Sequence, residues 1–210
     1  MEIEFGKLER SELKDSVELD VRAYQEYEYF TNIFPSLKER LKAIRGIIYR
    51  SRLTTLKKTH FLTAKVDGKI VAVAQIDDPH YKRPSVLSFL LHGWLLVYLG
   101  VKIRRVHDWI SMDEVASKPC HDYQKSGPDI WYTCTVTVDP EFQRKGVGSK
   151  FIAYWEDYIR EHGGKELILF TNSEKNLAFY KKNGFEVFDE RDVPLPGGNK
   201  MRSWSVWKTL

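Results

Sequence analysis

Gln143-Arg144-Lys145-Gly146-Val147-Gly148, reached just after Thr135-Val136-Thr137-Val138-Asp139-Pro140, is the stretch on which the reading of this chain turns. Trp131 to Val138 alternates as a strand does, with Thr133, Thr135 and Thr137 assigned to one face and Cys134, Val136 and Val138 to the other. From Val147 the period changes, and Val147, Phe151, Trp155 and Tyr158 recur on one helical face as a core-packing stripe. The junction is therefore strand, glycine-containing loop, helix. Glycine lacks a Cβ and enters left-handed backbone freely, and the first amides of a helix have no preceding carbonyls to bond. Those amides and the positive end of the helix dipole make an anion site, reinforced here by Arg144 and Lys145. A pyrophosphate suits it.

Two commoner phosphate loops fit poorly. A dinucleotide fingerprint needs a third glycine where this chain has Phe151, and a Walker loop needs Gly-Lys followed by Ser or Thr. A second strand and helix follow: Glu166-Leu-Ile-Leu-Phe-Thr-Asn172, then Ser173-Glu-Lys-Asn-Leu-Ala-Phe-Tyr-Lys-Lys-Asn-Gly184-Phe185. Asn172 or Ser173 is placed to cap that helix, and Gly184 to end it.

Together the two segments resemble the GNAT superfamily of N-acetyltransferases. Its first signature, Gln/Arg-x-x-Gly-x-Gly/Ala, is matched from Gln143 to Gly148, and its second by Asn176-Leu-Ala178-Phe179-Tyr180-Lys-Lys-Asn-Gly184-Phe185. The resemblance is specific from about Trp131 to Phe188 and absent from roughly Arg83 to Asp129. It implies an α/β (α+β) fold: a mixed, mostly antiparallel central sheet of about six to seven strands flanked by helices, with a helical insertion over about 83–129 before the central strand. It implies acetyl-CoA as acyl donor and no metal. In that picture Gln143, Arg144, Lys145, Gly146, Val147, Gly148 and Ser149 hold the diphosphate. Main-chain groups near Val136, Thr137 and Val138 bond the pantetheine arm, with Asn172 and Asn176 beside it, and Tyr180 is the acid that protonates the departing thiolate.

A phenol keeps its proton at neutral pH, as that role requires. The attacking amine is mostly protonated near pH 7, so a base must take its proton away. His121, Asp122, Asp113, Glu114 and Asp77 all lie in segments near the expected acceptor side, and His121 ranks first because imidazole titrates nearest working pH. Direct transfer to an amine of a small molecule or peptide, in a ternary complex, is the leading expectation. A catalytically silent CoA-binding sensor or protein-interaction module is the alternative, because no base is singled out.

The remaining sequence bounds this picture. The 210 residues carry no linker or repeat, which predicts one domain over 1–210. A net charge of +4 spread among acidic residues does not require nucleic acid. The start, Met1-Glu-Ile-Glu-Phe5, has no secretory pattern, so a cytoplasmic protein is expected. Cys120 and Cys134 lack metal-ligand spacing and read as free thiols, Cys134 as a small buried strand residue. Strands are expected at Glu2–Leu8, Phe61–Val66 and Ile70–Ile76, the last two joined by the turn pair Asp67-Gly68, and helices from Ser11 and over about Leu37–Leu56. Val86 to Val101 is nearly continuous apolar sequence, but too short and too interrupted to span a bilayer, so it is read as a buried helix and no membrane partner is expected, a membrane-surface anchor being the lower-ranked alternative. A further short helix should end before Pro119, and the pair should roof the site. Trp204, Val206 and Trp207 belong either to a final strand or to an interface, so a homodimer stays open.

Overall fold

The computed structural model describes residues 1–210. Seven strands form one sheet in the order β1-β2-β3-β4-β5-β7-β6: β1 (Glu4–Lys7), β2 (His60–Val66), β3 (Lys69–Asp77), β4 (Ile130–Val138), β5 (Glu166–Thr171), β6 (Glu186–Pro194) and β7 (Lys200–Thr209). Every neighbouring pair is antiparallel except β4 and β5, which run parallel. The β2–β3 hairpin turns at Asp67 (φ 50) and Gly68 (φ 72), the two left-handed residues that a tight turn matched to strand twist demands. Trp204 and Val206 lie inside the sheet on β7, so the carboxyl-terminal aromatic run is a strand.

Helices cover both faces. On one, α6 (Val147–Glu161) and α7 (Glu174–Lys182) bury Val147, Phe151, Trp155, Ile159 and Tyr180 against β2, β3, β5 and β7. On the other lie α1 (Leu13–Tyr24), the short α2 (Glu28–Thr31), α3 (Leu37–Thr55) and α5 (Ile103–Gln124). The apolar stripe of α6 is thus core, Trp155 included.

The structure corrects four expectations. Val86 to Val101 is not a buried helix: it forms a one-and-a-half-turn α4 (Val86–Leu91) and a 3-10 turn at Trp94–Tyr98, with only Val97 and Val101 buried. Gly93 (φ 77) and Gly100 (φ 79) break the run, and each piece is too short to turn all its side chains inward. The following helix does not stop before Pro119 but runs on to Gln124, with Pro119, Cys120 and Ala116 buried. Packing of that end against the sheet outweighs the roughly 3 kcal/mol an interior proline costs a helix. Ser173 occupies the N-cap of α7 without a side-chain cap bond, while the Asn172 amide group donates instead to the Arg202 carbonyl (3.2 Å).

The strict face assignment along β4 also fails, because Cys134 is an extra residue. Gln75 opposes Thr135 whereas Ile76 opposes Thr133, a β-bulge. Trp131 before the bulge and Val136 and Val138 after it therefore pack on the same side, and Thr137 turns to the other, toward α1. A single inserted residue reverses the alternation.

Candidate active site

β4 and β5 stay paired only from Ile130, Trp131 and Tyr132 to Glu166, Leu167 and Ile168. Beyond that the strands part. The Asp139 amide bonds the Val71 carbonyl (2.8 Å), so the main-chain groups of Val136 and Val138 point the other way, into the gap. Two side chains meet their carbonyls there. Tyr24 donates to Val136 O (3.0 Å) and Gln143 Nε2 to Val138 O (3.1 Å). The main chain of Thr137 faces β3, opposite Val73, and its hydroxyl donates to Asp20 Oδ1 (2.5 Å) while lying 2.7 Å from the Tyr24 hydroxyl.

That contact belongs to a buried polar chain. The Arg52 guanidinium sits 2.7 Å from Asp20 Oδ2 and also donates to Ser16 Oγ (2.8 Å). Burial pushes the Asp20 carboxyl up while Arg52 and Thr137 pull it down. Paired and hydrogen-bonded, the carboxylate holds Thr137, and through it the tyrosine, in place at the gap.

From the gap a cavity of about 650 Å³ opens between α3, α5 and the ends of β3, β4 and β5. Asn176 and Tyr180 line it from α7, Thr171 from the end of β5, Asn172 from just beyond it, and His121 from α5. Tyr180 is buried, which raises its pKa, with Tyr27 adding to the effect, so the phenol stays protonated. Its ring stands edge-on to Phe179 and Phe185. Tyr27 accepts from the Asn172 amide (3.3 Å) and sits against Asn176. Thr171 Oγ1 and Asn172 Oδ1 are buried with no protein partner. Polar atoms left unpaired beside the gap can bond a polar ligand, since leaving them unmet costs about 1–3 kcal/mol each.

The cradle residues are brought together at the start of α6. Gly146 is its N-cap with φ 80, a left-handed conformation that favours glycine, and there is open space around its Cα. Arg144 also adopts positive φ (60), which is strained for a residue with a side chain. Gln143, Arg144, Lys145 and Ser149 are exposed, whereas Val147 is fully buried in the core, leaving only its main chain to reach a ligand. At Gly148 a Cβ would meet the Phe179 ring at 3.0 Å, so the glycine also makes room for packing between α6 and α7.

The five candidate bases separate by environment. Burial, then the charges of Arg83 and Lys125, lower the His121 pKa, which keeps its imidazole neutral and able to accept a proton. Burial raises Asp77 to about 6, opposed by hydrogen bonds from Thr59 and Gln75. Asp113 is raised by burial and bonded by the Tyr29 hydroxyl. Asp122 is exposed and paired with Lys118, and Glu114 stands near Arg83 (3.9 Å). Cys134 is half-buried and lines the cavity, but burial drives its thiol well above the ordinary range, so it holds its proton. No group of three or more His, Cys, Asp or Glu is arranged to hold a metal ion.

Tyr24, Tyr27, Tyr29 and the Asp20–Arg52 pair were not foreseen. The tyrosines' only sequence signal is the aromatic density of Tyr24 to Phe30, which reads equally as core, and the Asp20–Arg52 pair has none.

A model of the acetyltransferase (GNAT) family matches residues 22–185. The chain belongs to that family. The GNAT match runs from the last residues of α1 through Phe185 and so includes the gap, the cradle and Tyr180. Solved structures agree with the fold. Drosophila melanogaster polyamine N-acetyltransferase superposes with a TM-score of 0.61 at 15% identity, each chain covered over its whole length. PaiA N-acetyltransferase from Thermoplasma acidophilum, solved with coenzyme A, gives 0.58 at 16%, also over both whole chains. The ribosomal-protein-S18-alanine N-acetyltransferase from Escherichia coli gives 0.58 at 15%, over 99% of this chain and 94% of that one. A GNAT fold is therefore shared at low identity, and no helix of this member is long and apolar enough to cross a membrane.

Proposed function

We propose that this GNAT family member moves an acetyl group from acetyl-CoA to a primary amine of a small molecule or peptide, by direct attack in a ternary complex and within one domain over residues 1–210. The reading rests chiefly on one juxtaposition: a tyrosine that keeps its proton and a histidine that stays neutral line the same cavity, next to strands that part. When bound, acetyl-CoA supplies the thioester. Gln143, Arg144, Lys145 and the amides of Gly146 to Ser149 hold its diphosphate at the positive end of α6. The gap-facing main chain of Val136 and Val138 orients the arm, with Gln143, being exposed, free to release the Val138 carbonyl. Asn172 and Asn176 bond the arm from the opposite side, and the Asn172 and Thr171 oxygens would gain the partners they lack.

His121 takes one proton of the incoming ammonium at a ring nitrogen. The freed nitrogen bonds the acetyl carbonyl carbon as that carbon's bond to sulfur breaks, the Tyr180 hydroxyl gives a proton to the leaving sulfur, and the second proton shed by the nitrogen restores the phenol. Burial keeps the phenol protonated and the imidazole neutral, the forms in which the two roles begin. Aromatic walls from Tyr29, Phe30, Phe89 and Trp109, with Asp77 and Asp113 beneath, suit an amine carried on an apolar body. We place the protein in the cytoplasm on this reading.

Calorimetry with acetyl-CoA against adenine, followed by release of free thiol across a panel of amines, tests it. Binding of acetyl-CoA with amine-dependent thiol release supports the enzyme, and Tyr180→Phe should then lower kcat by about 10² or more while binding is retained. Binding without thiol release from any amine points to the sensor, and no binding ends both readings.

A further inference from the structure

Most of the apolar run ahead of the central strand lies on the surface, and apart from Phe89 it takes no part in the cavity just described. Eight of the chain's eleven exposed large hydrophobic side chains fall between Val86 and Ile103. On α4 they occupy Val86, Leu87, Leu90 and Leu91, the i, i+1, i+4, i+5 set that makes one helical face, and the last is 78% exposed. Leu95, Leu96 and Leu99 continue the surface from the 3-10 turn, and the two pieces are fixed together by Phe89 packed edge-on against Trp94 (5.4 Å). Single exposed leucines are ordinary, but a cluster of this kind marks an interaction surface.

Charge says what covers it. From Lys82 to His107 the chain carries five Lys or Arg and no Asp or Glu. Arg105 is paired with Glu39 and Arg83 lies near Glu114, while Lys82, Lys102 and Arg104 have no acidic partner. Trp94 and Tyr98, half-buried in the same 3-10 turn as Leu95 and Leu96, are amphipathic rings of the kind that suit a lipid headgroup region. A second copy seated face to face would set these cations against their own images, so self-association is disfavoured.

We propose that the α4 and 3-10 surface, residues 86–103, rests on an anionic lipid bilayer, with the leucines in the interface and Lys82, Lys102 and Arg104 against the headgroups. This reverses the expectation of no membrane partner, because that expectation supposed these side chains buried. It does not depend on the acetyl-transfer reading. If both hold, the acceptor cavity opens beside the lipid surface, since Phe89 on α4 lines it.

The test is sedimentation of the full chain with vesicles of phosphatidylglycerol and phosphatidylcholine in equal parts, beside pure phosphatidylcholine, at low and high salt. The expected result is co-sedimentation with the anionic vesicles only, reduced by salt. Lys102→Gln and Arg104→Gln should each weaken partitioning roughly fivefold. Leu91→Ser with Leu95→Ser should abolish it while leaving the melting temperature and acetyl-CoA binding unchanged, as both positions are solvent-exposed. A chain that stays in the supernatant with anionic vesicles overturns the proposal. So does light scattering that shows a dimer which Leu91→Ser and Leu95→Ser convert to monomer, or vesicle binding that these two substitutions leave intact.

Discussion

Tyr24 holds the carbonyl of Val136. The hydroxyl donates across 3.0 Å to an oxygen that would have faced β5 had the two strands remained paired. The phenol thus stands in for a missing strand, and the Asp20–Thr137 contact beside it keeps it there. The opening between β4 and β5 is therefore a supported feature of the fold, maintained without a ladder of backbone bonds.

Removing that hydroxyl should be felt in stability. Tyr24→Phe leaves the Val136 carbonyl unmet and takes a neighbour from Thr137, at a cost of about 1–3 kcal/mol. Urea unfolding followed by circular dichroism checks this. A loss under about 0.5 kcal/mol would mean that water replaces the phenol and that the support is not needed.

Arg144 is expected to trade stability for binding. At φ 60 its backbone is strained, a penalty of about 1–2 kcal/mol that glycine does not carry, offset in part by glycine's greater freedom in the unfolded chain. Arg144→Gly should leave the melting temperature unchanged or slightly raised, yet weaken acetyl-CoA several-fold in calorimetry. Unaltered affinity would remove the guanidinium from the diphosphate site.

Asp77 should make the fold lean on acid. Burial raises its carboxyl from 3.8 to about 6, so the folded state binds this proton more tightly than the unfolded state does. The resulting stability is fully present below the unfolded value and is lost as pH rises through about 6. The difference corresponds to roughly 3 kcal/mol at most, from 1.36 kcal/mol for each pH unit. Unfolding free energies measured from about pH 4 to pH 7 should decline over that window, and Asp77→Asn should flatten the decline. An unchanged slope in the variant assigns it to other groups.

His121 has the opposite shift and a different readout. Its depressed pKa means that the neutral, proton-accepting form persists below the ordinary imidazole value near 6.5. If it serves as base, the acid limb of kcat/KM should lie below that value, and His121→Gln should erase the limb and lower kcat by about 10² or more. A profile that keeps its limb in the variant transfers the role to Asp77 or to solvent.

Much of this arrangement could be read from local pattern. The Asp67-Gly68 turn, the α6 stripe through Trp155 and the glycine loop each depend on residues within a few positions of one another. Other parts were hidden for particular reasons. β6 reads Glu186-Val-Phe-Asp-Glu-Arg-Asp-Val-Pro194, too charged to announce a strand, and it forms because β7 offers it a partner along nearly its whole length. Pro119 should have ended a helix, but buried contacts around it carry α5 past. The β4 alternation broke at Cys134, since a bulge depends on the register of a partner strand and leaves no mark in the strand that contains it.

The sequence alone determined the family resemblance, the order of strands and helices around the glycine loop, and the residue types able to hold a diphosphate and give up a proton, because these follow from spacing along one short stretch of chain. Tertiary structure alone decided that Tyr24 and Asp20 reach Thr137 and Val136 from more than a hundred residues away, that His121 faces the same cavity as Tyr180, and that the apolar run from Val86 lies on the surface. Each of those outcomes depends on which distant groups compete for the same space and the same hydrogen bonds, and that competition is settled only when the whole sheet is assembled.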